Sequence, residues 1–178
     1  MNAQALQQAI GYLFPLAISS TNYTLAVDGS GNAAIKLWDN TLGPEPTATQ
    51  LMAALISGQL ASAQIGQQSL ILAAYKRARW GTPVSLTVGA NIYSFPTDAE
   101  TQLNVSHYIA ANILQQSATT TYPLLDVNGA VQMLNYTQIV ALAQAIQSTA
   151  LAAFSRKSIL FAQIAAATTV TAVQALVW

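Results

Sequence analysis

Apolar and polar residues alternate along this chain in a recurring order: a two-residue period, a turn, then a helical period behind a polar cap. Residues 3–13 carry apolar positions at helical spacing and stop before Pro15, which predicts a short helix. Tyr23–Val27 and Ala33–Trp38 flank the glycine-rich Asp28–Asn32 and predict a β-hairpin. Pro44 and Pro46 make a stiff turn. Thr47 and Gln50 then form a capping-box pair at the head of a helix whose apolar face is Leu51, Met52, Leu55 and Ile56. Gly58 is expected to end it. A second helix is predicted over 60–79, with Leu60, Ala63, Gln67, Leu70, Ile71 and Ala74 in one stripe and Tyr75 beside it. Lys76, Arg77 and Arg79 sit in its last turns, where cations suit the helix dipole.

The same order then repeats. Val84–Val88 and Ile92–Phe95 flank Gly89–Asn91 as a second hairpin. Thr97 with Glu100 reads as a capping box for a helix reaching about Gln116, with Leu103, Val105, Ile109, Ile113 and Leu114 as its apolar positions. Residues 117–121 read as a polar loop. Leu124–Val127 and Ala130–Leu134 flank Asn128 and Gly129, a two-residue hairpin signal. Asn135 with Gln138 caps a long helix to about Ala166, with Ile139, Leu142, Ile146, Ala150, Phe154, Phe161 and Ile164 near helical spacing. Thr168 is expected to cap a final short helix over 169–178. The expected fold class is α+β, mainly helical with short antiparallel hairpins. Two small modules, 1–58 and 81–178, are expected to be joined by a helix over 59–80.

Composition changes the picture in one respect. Only 7% of the 178 residues are charged, against roughly 25% in an average soluble domain. Six basic and six acidic residues cancel, while 53% of the chain is apolar. A chain so poor in charge does not bind nucleic acid through a basic face, and near-neutrality favours association over solubility. It reads as a protein packed against other protein. The apolar run 9–18 lacks a preceding cation and is interrupted by Pro15, so no secretory signal is expected. The apolar stretch 159–178 contains Gln163, Thr168, Thr169, Thr171 and Gln174, so no membrane span is expected there.

Candidate chemistry is sparse. His107 is the single histidine and has no carboxylate within helical reach, since Asp98 and Glu100 lie nine and seven residues back. The carboxylates mostly occupy turns and helix N-termini. Asp28, Ser30, Asn32 and Asp39 fit four positions of a calcium loop, but Ala33 and Lys36 stand where glycine and a ligand belong. There is no cysteine and no phosphate-binding or zinc motif. The chain therefore reads as a non-enzyme without metal or cofactor. The residues expected to meet a partner are Trp178 and Leu176 at the C-terminal end, Phe154 and Phe161 on the long helix, and the basic-aromatic run Lys76, Arg77, Arg79 and Trp80.

Two stretches carry a resemblance. Ala34–Trp38 followed by Leu42-Gly43-Pro44-Glu45-Pro46-Thr47 and Leu51 resembles small bacteriophage tail proteins, often tail-fibre assembly proteins, which place a hairpin, a Trp and Leu-Gly-x-x-Pro-Thr before a helix. Residues 71–178 resemble a phage domain of uncharacterised function found in tail and tail-fibre-associated proteins. The matching features are Lys76–Arg79, Phe95-Pro96-Thr97-Asp98, Asp126–Gly129 and Ile164–Thr168, with Tyr122-Pro123 where the relatives carry Trp. The resemblance implies a structural component of a phage tail, associated with tail fibre or baseplate. Its partners would be other tail proteins, and homo-oligomerisation or threefold docking would match the symmetry of a fibre. It would reside in the virion after synthesis in the host cytoplasm. The alternatives are a tail-fibre assembly chaperone and a host-surface tip that binds glycan. No catalytic residues transfer.

Overall fold

The computed structural model describes residues 1–115 and 119–178. Among these the fold is α+β: five α-helices and three separate two-stranded antiparallel sheets. The order is α1 (Ala3–Leu13), β1 (Tyr23–Val27), β2 (Ala33–Trp38), α2 (Ala48–Gly81), β3 (Val84–Val88), β4 (Asn91–Phe95), α3 (Ala99–Gln115), β5 (Thr121–Leu125), β6 (Val131–Asn135), α4 (Tyr136–Ala166) and α5 (Val170–Gln174). The chain forms two compact units, 1–67 with 166–175 and 68–165 with 176–178.

In the first unit, Asn2 caps α1 by accepting the Ala5 N–H at 2.8 Å. Leu6, Ala9 and Ile10 of α1 pack with Tyr23, Leu51 and Ala54 into a small core. Trp38 flanks it, with its indole donating to the Gly43 carbonyl at 2.9 Å and its ring meeting Phe14 edge-on at 4.9 Å. The Thr47–Gln50 box forms as expected: the Thr47 N–H donates to Gln50 Oε1 at 2.8 Å and the Gln50 N–H to Thr47 Oγ1 at 3.3 Å. The expected stop at Gly58 does not occur, because α2 is one continuous helix. Gly58 serves packing instead. A Cβ there would lie 3.3 Å from Cδ2 of Tyr12, so glycine lets the α1 ring approach the α2 backbone. Of the face expected for this helix, Leu51 is buried with Ala54, while Met52 and Ile56 are exposed. Gly66, also inside α2, has open space around its Cβ position. Gly66→Ala should stabilise the protein by roughly 0.5–1 kcal/mol through backbone entropy, read as a raised unfolding midpoint.

The second unit holds the larger core. Val84, Phe95, Val105, Tyr122, Leu134, Ile139, Leu142 and Ile146 are buried together, drawn from β3 to β6, α3 and α4. The expected Thr97–Glu100 box is replaced by a different cap. Asp98 Oδ1 accepts the Thr101 N–H at 2.8 Å, and the Thr97 hydroxyl donates to the Thr82 carbonyl at 3.1 Å. Thr97 is buried, so its hydroxyl satisfies a backbone oxygen rather than the helix end. The end of the helix expected near Gln116 and much of the loop expected over 117–121 lie outside the described residues. Among the apolar positions expected of α3, Val105 is buried, whereas Leu103, Ile113 and Leu114 are exposed. The Asn135–Gln138 pair caps α4 reciprocally, both bonds at 2.9 Å. The buried stripe of α4 is Ile139, Leu142, Ile146, Ala153, Leu160 and Ile164; Phe154 falls off it and is exposed. Among the described residues, α4 is the helix long and apolar enough, by length and composition alone, to cross a membrane. Thr169, not Thr168, caps α5, accepting the Ala172 N–H at 3.1 Å, and α5 ends at Gln174.

The turns correct one further expectation. Asn128 and Gly129 do not make a two-residue hairpin; β5 and β6 join through the five residues 126–130, and β5 starts upstream at Thr121. Asp126 sets this loop. Its N–H donates to the Ala130 carbonyl, its carbonyl accepts from Gly129, and its Oδ1 accepts the N–H groups of Asn128 and Ala130. Asp28 makes the same bonds to Asn32, Gly31, Ser30 and Asn32. In both loops the fourth residue is a glycine at positive φ, 83° at Gly31 and 78° at Gly129. The two-residue turn is at Gly89 and Ala90, with Gly89 at φ 64°.

These bonds also hold carboxyls ionised. Asp126 lies below the usual carboxylate range, chiefly through the Ala130 N–H and also through Asn128 and Gln132. Asp28 is lowered by the N–H groups of Asn32 and Ser30, and Asp39 by Thr41 and Asn22. Each folded value is depressed, so the stabilisation is complete above the unfolded value of about 4 and is lost as pH falls through the folded values. Thermal melts should show stability falling as pH drops below about 4, with the fall reduced in Asp126→Asn.

Candidate protein-contact site

The second unit gathers most of the chain's cations. Lys76, Arg77 and Arg79 come from the end of α2, and Arg156 and Lys157 from α4. Positions 154, 157 and 161 share one face of α4 by their three- and four-residue spacing. This places Lys157 Nζ 4.7 Å from the Phe154 ring centre and 5.9 Å from that of Phe161. The same ammonium lies 4.9 Å from the ring centre of Tyr75, which is buried on α2.

Tyr75 is the hub. Its hydroxyl accepts from Arg79 Nη1 at 2.9 Å, one face receives Lys157, and its edge meets the ring of Trp178 at 6.5 Å. The Arg156 guanidinium stands 5.3 Å from the Trp178 ring, and Arg79 lies 4.5 Å from the ring of Trp80. Each cation–π contact contributes about 0.5–2 kcal/mol, depending on how far water is excluded. The Arg79 Nε is buried without a hydrogen-bond partner among the described residues. Beside the cluster runs a groove of about 410 Å³ lined by the small residues Ala78, Ala152 and Ala153 together with Thr82, Ser148, Arg156 and Trp178.

The structure therefore brings together five of the eight residues singled out in the sequence: Arg79, Trp80, Phe154, Phe161 and Trp178. Lys76 and Arg77 are exposed on α2, and Leu176 is half-buried. Trp178 is also half-buried, packed against its own chain through Tyr75 and Arg156. Sequence reasoning missed Tyr75 as the centre and Arg156 and Lys157 as members. Their signal was present as two adjacent cations between Phe154 and Phe161.

Elsewhere the chemistry is local. His107 is exposed on α3. The carboxylate of Asp28 accepts from Ser30, from the Asn32 backbone and from the Asn32 amide, so its oxygens serve the turn. Among the described residues no group of three or more His, Cys, Asp or Glu is placed to hold a metal. In the first unit a groove of about 780 Å³ is lined by Gln8, Tyr12, Gln59, Ser62 and Gln174 with small and apolar neighbours, and bears no charged residue.

Two family models match this sequence. The model for a domain of unknown function (DUF4376) covers residues 66–177, more than half of the chain. The model for XkdW protein, a phage-associated family, covers residues 6–63. No curated protein and no solved structure matches.

Proposed function

Since the chain belongs to the DUF4376 family and carries an XkdW-like stretch that marks it as phage-related, we propose that it is a structural component of a bacteriophage tail, working through protein–protein contacts. The observation that carries this reading is the aromatic–cationic face around Tyr75. Phe154 is half exposed, Trp80 is exposed at 37%, and Arg156, Lys76 and Arg77 reach solvent. Exposed aromatics interleaved with arginine are the composition of interface anchors. A chain with 7% charge also gains from covering such a surface. The partners are other tail proteins at the fibre or baseplate, and the site of action is the virion. We read α4 as a packed helix of this assembly, since Ile139, Leu142 and Ile146 lie in the core of the second unit.

The reading is tested by a phage with an early stop codon in this reading frame. Electron microscopy should show particles with missing or defective tails and a loss of infectivity that the intact gene restores in trans. Normal, infectious particles would overturn it.

A second reading, a tip that binds host glycan, is favoured by the uncharged amide-lined groove of the first unit. Its volume of about 780 Å³ falls within the roughly 300–1,000 Å³ of ligand sites. Binding on a glycan array that disappears in Tyr12→Ala would support it.

A further inference from the structure

The groove of the first unit lies among three helices, with Gln8, Gly11 and Tyr12 from α1, Gln59 and Ser62 from α2, and Gln174 from α5. Half-buried Leu55 and Val170 add apolar surface, and no lining residue is charged. The three carboxamides and the serine hydroxyl can each donate and accept, and none of the four is spent on a partner among the described residues. Tyr12 packs beside Gly58, is half exposed and lines the groove. Gly11 is the odd residue of this wall. Glycine weakens a helix, and α1 has only 11 residues. Its backbone is helical rather than left-handed, and a Cβ there would meet no atom within 4 Å. Neither conformation nor a neighbour calls for glycine at this position. What its missing side chain leaves is open space in the wall of the groove.

This lining selects a class of ligand. An anionic group would give up its hydration and meet no cation. An extended peptide pairs with a sheet edge, whereas these walls are helices whose backbone groups bond internally. A helical peptide needs a row of apolar anchors, and the exposed side chains here are mostly amides. A neutral saccharide meets each feature, with hydroxyls that donate and accept against the carboxamides and an apolar ring face against Tyr12. We propose that this groove binds a neutral oligosaccharide and discriminates against its sialylated or uronic-acid forms. One sugar ring stacks on Tyr12 beside the gap at Gly11, and Gln8, Gln59 and Gln174 hold the hydroxyls. The inference deepens, and rests on, the reading of this groove as a host-glycan site.

The test probes the full chain with an array that pairs neutral oligosaccharides with their sialylated and uronic-acid counterparts, at low and at high salt. Neutral members should bind, and their acidic counterparts should bind more weakly by about tenfold or more. Binding of the neutral members should persist at high salt, because no ion pair is involved. Gly11→Trp fills the gap from an exposed helix position and should abolish that binding, and Gln59→Ala should weaken it several-fold. Gln7→Ala, at an exposed amide of α1 outside the groove, should bind as wild type does. Circular dichroism checks folding; if Gly11→Trp fails to fold, Gln59→Ala and Gln174→Ala carry the test. Acidic members binding as well as neutral ones, or binding that every groove variant retains, overturns the inference and leaves glycan binding in place. No binding to any member overturns both the inference and the glycan reading. The tail assignment is judged separately, by the phage with the stop codon.

Discussion

Replacing Phe95 by alanine is expected to destabilise the second unit by about 3–5 kcal/mol. Phe95 is completely buried at the end of β4, among side chains from two hairpins, α3 and α4. Among the described residues, Phe95 is the largest side chain so fully enclosed in this core. Removing the ring deletes its burial and leaves a cavity that the short, two-stranded sheets cannot close, since each is held in place by packing rather than by neighbouring strands. A lowered urea midpoint with an unchanged slope would show the loss. A change below about 1 kcal/mol would contradict the position of Phe95 at the centre of the core.

Ile10→Ala is expected to cost about 2–5 kcal/mol in the first unit. The α1 helix has 11 residues, too few to persist alone in water, and it is held by Leu6, Ala9 and Ile10 against Tyr23, Leu51 and Ala54. Ile10 is wholly buried. Hydrogen exchange should therefore accelerate across α1 and the β1–β2 hairpin that shares its core, while Gln7→Ala, at an exposed position of α1, should leave that protection nearly intact. Unchanged protection of α1 in Ile10→Ala would contradict the packing described for this core.

Where the sequence was legible, the responsible signals were local. The first hairpin, the Thr47–Gln50 and Asn135–Gln138 caps and the start of α4 lie where turn and cap chemistry placed them. The errors arose where a local signal served tertiary packing. Gly58 looked like a helix stop because glycine lacks a side chain, but the missing Cβ makes room for Tyr12, forty-six residues away in the chain. Thr97 looked like a cap and is instead bound to the Thr82 carbonyl. Asn128-Gly129 looked like a two-residue turn, and Asp126 overrides it by accepting two backbone N–H groups. That pattern was readable in principle, because Asp28 and Asp126 each stand three residues before a glycine, Gly31 and Gly129, that takes positive φ. The candidate site was half legible. Residue types pointed to Arg79, Trp80, Phe154, Phe161 and Trp178, but no local rule brings Tyr75 between α4 and the C-terminal end.

The proposed structural role requires that the chain reside in the assembled tail. The most direct measurement is quantitative mass spectrometry of purified particles, with this chain counted against a tail tube or sheath protein of known copy number. A fixed stoichiometry, expected as a multiple of three for a fibre-associated component, is the predicted result. Absence of the chain from particles that need it to assemble would contradict a structural role and identify an assembly chaperone instead.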